Sequence, residues 1–437
     1  MTPILCSAIP DTVPAIPASR PNSVIVWLLQ GARLGDNQQV LALGAALEAR
    51  FGWKLVVKQL KFERGPVPGS DPKDGIRHLK RAESDCVFAT EDDPWPHVVI
   101  AIGRRAAPVA RWVAAQGAPY AIHIQLGRFQ DPYETVDLLV TTAQYGLPGG
   151  PNVLHLSLPI TARKVAILAR AAEAFKPLFA EHKGPQIGVL IGGPSNPMKF
   201  SDKDGKRLLQ EALAFADKRQ GRLLVATSPR TPAEVVAHFE AHLPAPHRLF
   251  PFRPGAGDAN PYPALLAGCD AFIVTNDSVS MVADAALTGR EVRLFELPVV
   301  KPRPMWEPSW PIAHWVGRRR NQRLVKGKSA DWLDRWFEAK VRAAHAQPVR
   351  YVPIIMARLL REGHVATLAN PQSPRTDLAQ LAVQELDMVA ARIVALLAEK
   401  RAKALRSALA EGGGPAANAL PVRAMLPTFS ELTPAAG

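Results

Sequence analysis

From residue 23 onward, short apolar or β-branched runs alternate with longer stretches of 3.6-residue period, the signature of βαβ units around parallel sheets. The first series predicts strands at 23–29, 54–60, 97–102, 120–125, 137–142 and 152–156, with helices near 36–50, 76–84 and 104–116. A polar-ended helix is expected over 161–183, stopping before Gly184. The grammar then repeats, with strands at 187–193, 223–227, 247–252, 271–275 and 291–297 and helices at 201–219, 231–242, 260–268 and 278–288. This predicts an α/β chain of two Rossmann-like doubly wound domains facing a cleft, where such sheets bind ligands at their strand C-termini. The expected boundaries are a disordered leader at 1–22, an N-terminal domain over 23–183 and a C-terminal domain over 184–350. A helical segment over 351–411, with its main helix at 377–406, and a disordered Gly/Ala/Pro-rich tail over 412–437 complete the chain.

Composition narrows the partners. The 437 residues carry 53 Lys and Arg against 39 Asp and Glu, a net charge of +14 that favours an anionic ligand. Most of the excess falls in 301–361, with 14 basic against four acidic residues and five of the nine tryptophans (Trp306, Trp310, Trp315, Trp332 and Trp336). That mixture suits an anionic membrane surface. Because Trp332, Trp336 and Lys340 follow helical spacing, the rings could equally face a core. No recognised nucleic-acid module accompanies the charge, so specific nucleic-acid binding is not expected. Cys6, Cys86 and Cys269 lack CxxC spacing, and no apolar run reaches membrane-spanning length. A cytoplasmic location is expected, peripheral at the inner face of the membrane if the basic segment touches lipid.

Several strand-to-helix junctions carry chemistry. The first strand runs into Gln30-Gly31-Ala32-Arg33-Leu34-Gly35-Asp36, where glycines and a helix start suit an oxyanion and Asp36 is placed to cap the helix or act as a base. Arg104 and Arg105 stand where another helix begins, an unfavourable position for cations unless an anion repays it. Gly192, Gly193 and Ser195 offer several donors within one turn, a diphosphate candidate. Asn276, Asp277, Ser278 and Ser280 open a small-residue helix on which Ser280 and Asp284 share a face, so Asp284 could accept both hydroxyls of a ribose. His123, mid-strand, reads as a core histidine ahead of a general base. GxGxxG and GxxxxGK[ST] are absent, as is YxxxK after any of the five tyrosines, which argues against a P-loop NTPase and an NAD-dependent epimerase. There is no DxD metal motif in the cleft segments, and helix termini can do that work instead.

The segments VWLLQGARLGDNQQVLALGAALEARFGWKL, VVIAIGRRAAPVARW, GGPS and VTNDSVSMVADAALTGREV, in this order over about residues 24–350, resemble the plant mitochondrial-fission (elongated mitochondria) family and its bacterial homologues. That family looks like the GT-B glycosyltransferases, whose second domain holds a nucleotide sugar. The resemblance implies a diphosphate at the GGPS turn and a ribose at Asp284, as in the peptidoglycan N-acetylglucosaminyltransferase. Asp36 stands roughly where that enzyme has a histidine, and the pair Asp131-Pro132 comes later after Gln125 than is usual for the family. The implied function is transfer from a nucleotide-diphosphate sugar, acting as donor substrate without a separate cofactor, to an acceptor that could be lipid-linked. A non-catalytic adaptor that retains the fold is the alternative. Asp36, Arg104 and Arg105 are the catalytic candidates; Gly192, Gly193, Ser195, Asn276, Asp277, Ser278, Ser280 and Asp284 are the nucleotide-binding ones.

Overall fold

A computed structural model describes residues 24–63, 75–80, 87–117, 120–161, 165–255, 257–300 and 311–410. The expected leader, the tail, Trp306, Trp310 and the later part of the helix expected at 76–84 lie outside the described residues. Residues 76–80, the described part of that expected helix, form a turn and a bridge instead.

The first unit alternates β1 (Ile25–Gln30), α1 (Leu34–Phe51), β2 (Lys54–Gln59), β3 (Val98–Ile102), α2 (Ala106–Gln116), β4 (Ile122–Leu126), β5 (Leu138–Thr142) and β6 (Val153–Leu156). Its six strands are parallel, in the order β2-β1-β3-β4-β5-β6. Strand alternation sends Val26 and Leu28 to one face, with Leu43 and Leu47 of α1, and Ile25, Trp27 and Leu29 to the other, with Val109 and Val113 of α2. His123 is buried and its ring Nε2 lies 3.1 Å from Gln125 Oε1. Burial lowers its pKa to about 4, so it is a neutral core residue at pH 7.

After α3 (Val165–Ala174) and α4 (Lys176–Ala180), the second unit runs β7 (Gln186–Leu190), α5 (Asp202–Asp217), β8 (Arg222–Ala226), α6 (Ala233–His242), β9 (Arg248–Phe250), α7 (Tyr262–Gly268), β10 (Ala271–Thr275), α8 (Val279–Ala286) and β11 (Glu291–Phe295). The single helix expected over 161–183 is interrupted at Phe175, just before Pro177, whose ring and missing N–H cannot continue an α-helix. The second sheet is ordered β9-β8-β7-β10-β11-β12, the Rossmann arrangement, with β12 (Ala366–Thr367) added late in the chain. In both sheets the winding reverses beside the unit's first strand, β1 or β7, and the loops leaving the strands there form the facing walls of the cleft. The α/β class and the pair of doubly wound Rossmann-like units are therefore as the sequence implies.

Domain membership is not. The stretch expected to belong to the second unit up to 350 crosses back: α9 (Pro311–Val325) and α10 (Trp332–Arg342) pack Ala313, Val316, Phe337 and Val341 against Phe129, Tyr133, Val136 and Leu139 of the first unit. Arg320 seals the contact by donating to the Gly146 carbonyl at 2.8 Å. The chain then returns, placing Ile355, Met356 and Leu359 of α11 (Pro353–Arg361) in the second core. Nor is 351–411 a unit of its own. The helix α12 (Leu378–Ala410) starts with Leu378 in the second core and continues with Val389, Ile393 and Leu397 in the first. Each such apolar side chain stabilises by roughly 1.5–3 kcal/mol when fully buried. Lys400 then closes on Asp137 at 2.8 Å.

Candidate functional site

Both units contribute to one cavity of about 560 Å³. Arg33, Asp36, Gln38, Gln39, Gln144 and Tyr145 line it from the first unit, and Arg230, Asp277, Ser278, Ser280 and Asp284 from the second; Arg350 stands at the crossing between them.

The second wall is organised around Asp277. Its carboxylate is fully buried, with 0% of the side chain exposed, and accepts the Gly193 N–H at 2.9 Å, the Thr275 hydroxyl at 2.7 Å and the Arg230 guanidinium at 3.1 Å. Thr275 in turn accepts the Gly192 N–H at 2.8 Å. Burial pushes the Asp277 pKa up, opposed by these donors and by the positive charge of Arg230. The consequence corrects the sequence reading: the N–H groups of Gly192 and Gly193 are already spent on the protein's own side chains and are not free for a diphosphate. These two glycines serve close approach. A Cβ at Gly192 would sit 2.4 Å from both Asp277 carboxylate oxygens, and one at Gly193 would sit 2.0 Å from the Arg230 carbonyl oxygen.

With Asp277 turned inward, the helix that follows it begins bare. Ser278 is the N-cap of α8 but makes no side-chain capping bond; its hydroxyl lies 3.3 Å from that of Ser280. The first-turn N–H groups of an α-helix have no partner within the helix and carry the positive end of the macrodipole, and this first turn lines the cavity. Asn276 is structural: its Oδ1 accepts the Leu297 N–H at 3.0 Å and ties the β10 loop to the end of β11. One turn further along α8, Asp284 accepts from the Tyr262 hydroxyl at 3.0 Å. Tyr262 also lines a second hollow of about 210 Å³, shared with Phe250, Phe252, Arg253 and Asn260, so the hydrogen-bonded pair stands between the two spaces.

Asp36 lies in the first turn of α1, where Arg33, not Asp36, occupies the N-cap position. The turn before it is closed by Asn37, whose side chain bonds both the N–H of Gly31 (2.9 Å) and its carbonyl (2.8 Å). Burial raises the Asp36 pKa, while Arg33 and Arg350 oppose the rise.

The other candidates lie elsewhere. Arg105 donates to the Glu63 carbonyl at 2.8 Å, over the Phe62 ring, and its own carbonyl is bonded to His78. Arg104 is exposed, and its charge adds to burial in lowering the pKa of Arg128. Neither arginine is on the cavity wall. Ser195 is taken up in a tight bridge with Met198, whose N–H it receives at 2.7 Å, and it also stands off the wall. Arg33, Arg230 and Arg350 were not singled out by motif. Arg230 leaves β8 in a Ser-Pro-Arg-Thr loop, a weak signal, and Arg350 was visible only as one charge among many.

The family model for mitochondrial fission ELM1 matches residues 34–307, the stretch that builds most of both cavity walls. The chain belongs to the mitochondrial fission ELM1 family. A relative within it, mitochondrial fission protein ELM1 of Arabidopsis thaliana, is 26% identical over 225 residues, covering 46% of this chain and 52% of the relative. The chain thus spans about half the length of that curated family member. Among solved structures, the chain is similar to the S. aureus MnaA–UDP co-structure (TM-score 0.38, 10% identity, covering 77% of this chain and 96% of the other). It is also similar to the glycosyltransferase SnogD from Streptomyces nogalater (TM-score 0.37, 15% identity, covering 78% and 99%).

The crowding at the glycine turn makes a direct prediction. Gly192→Ala should lower stability by roughly 1–3 kcal/mol, because the new methyl must displace the Asp277 carboxylate. Chemical denaturation checks it, and a variant as stable as the parent would contradict the close packing of Asp277 on Gly192.

Proposed function

We propose that this family member is a GT-B-like glycosyltransferase that holds a nucleoside-diphosphate sugar against its second unit and passes the sugar to an acceptor on the first. The observation that carries this reading is the row formed by the hollow, the Tyr262–Asp284 pair and the uncapped start of α8. A base fits the aromatic hollow, a ribose meets Asp284, and the diphosphate reaches the first turn of α8 with Arg230 beside it. In the transfer, an acceptor hydroxyl oxygen bonds to the anomeric carbon while the bond from that carbon to the diphosphate breaks. The helix dipole and Arg230 meet the charge of the leaving diphosphate, and Asp36 takes the hydroxyl proton.

The test is thermal denaturation and calorimetry with UDP, GDP and ADP. A nucleotide at a hundred times its dissociation constant should add about 2.7 kcal/mol of stability. Asp284→Asn should weaken that binding roughly tenfold or more through loss of charged hydrogen bonds. Silence from all three nucleotides with folded protein would remove the enzyme reading and leave a non-catalytic adaptor in its place.

We also propose that the α9–α10 hairpin rests on an anionic membrane surface. The core positions of α10 are Asp334, Phe337 and Val341, so Trp332 and Trp336, which follow helical spacing, point outward at 74% and 37% exposed, and Trp315 of α9 is 55% exposed. Lys326, Lys328 and Arg335 are exposed in the same hairpin, and none of the helices among the described residues is long and apolar enough to cross a membrane. Rings at the interface with basic residues worth on the order of 1 kcal/mol each would give salt-sensitive attachment. The protein should co-float with phosphatidylserine vesicles at low salt, less at 1 M salt, and less again as Trp332→Ala. Failure to float at low salt would refute the proposal.

A further inference from the structure

Two guanidinium groups in the cleft are left over by the donor reading, on which the following rests. On the second wall of the cavity, Arg230 is committed to Asp277. Arg33 and Arg350 also line the 560 Å³ cavity, exposed to it, and the carboxylate they act on there is Asp36, whose pKa both hold down. Arg350 is held by a neutral acceptor, donating through Nε and Nη2 to Gln144 Oε1 at 3.3 and 3.1 Å. The adjacent Tyr351 N–H anchors the same loop to the Gln144 carbonyl at 2.7 Å. Arg350 is thus fastened to the first unit by the turn after β5, and Arg33 by its place at the start of α1. They flank Asp36, whereas the cation and helix terminus suited to the donor diphosphate belong to the second unit.

We propose that the acceptor carries a phosphoryl group, bound by Arg33 and Arg350 so that a neighbouring hydroxyl of the same molecule faces Asp36. Two guanidinium forks from separate elements match a dianion better than a single carboxylate, and bidentate geometry fixes its orientation as well as its place. The step remains balanced. The acceptor oxygen gains the anomeric carbon, its proton goes to the Asp36 carboxylate, and the electron pair of the broken bond leaves on the donor diphosphate. The acceptor's own phosphoryl group is unchanged.

The test is a titration of the full-length protein, saturated with UDP, with glycerol 3-phosphate as probe, followed by calorimetry and by ³¹P line broadening. Saturable binding is expected. Arg33→Gln and Arg350→Gln should each weaken it roughly tenfold or more while leaving the UDP dissociation constant within about twofold, and Arg230→Gln should do the reverse. Arg350→Lys, which keeps the charge, guards against loss of fold and should fall between parent and Arg350→Gln. No saturable probe binding would overturn the proposal, as would equal weakening of UDP by the Arg350 and Arg230 variants, which would assign all three arginines to the donor. Should UDP itself fail to bind, the donor reading falls separately. The probe titration on the UDP-free protein then decides, with arginine-dependent binding supporting the phosphoryl site and silence refuting it.

Discussion

The cleft depends on one buried carboxylate. Asp277 fills the space that two glycines leave open at the end of β7 and draws the loops after β7, β8 and β10 together through Gly193, Arg230 and Thr275. An isolated carboxylate without solvent would be costly to keep ionised. Several donors and a half-exposed guanidinium offset that cost, and the arrangement works only where no Cβ intrudes. Its effect is to occupy the Gly193 N–H from within the protein. The helix that starts two residues later, at Val279, then presents its electropositive end on that wall.

The opposite wall is positioned by chain that leaves its own unit. The hairpin of α9 and α10 covers the first unit's outer face, the segment that follows delivers Arg350 to the cavity by way of Gln144, and α11 rejoins the second core. The long helix α12 then binds both, with Glu385 accepting the Ser157 N–H at 2.9 and 3.0 Å before its apolar face enters the first core. The chain therefore crosses the cleft more than once after the second sheet begins. The separation of Asp36 from the start of α8 is governed by those crossings together.

Much of this was legible in the pattern of residues. Parallel strands buried on both faces read as short apolar runs, which is why β1, β3, β7 and β10 fall within two or three residues of expectation. The cluster from Asn276 to Asp284 was visible as a helix start rich in hydrogen-bonding groups. What could not be read was which donors were already in use. Gly192 and Gly193 have the composition of a phosphate turn, yet their N–H groups go to Thr275 and Asp277, partners set by tertiary contact. Arg105 likewise looked like a cleft cation, but a carbonyl across the loop at Glu63 claims it. The return of α9 and α10 to the first unit also escaped, since amphipathic helices announce a buried face without naming the surface that buries it. β12, two residues long, is too short to show any period.

A crystal structure of the protein with UDP is the most direct measurement. The diphosphate is expected at the N–H groups of Val279, Ser280 and Met281, with the Asp277 carboxylate still bonded to Gly193. A diphosphate seated on the Gly192 and Gly193 N–H groups, with Asp277 displaced, would contradict it.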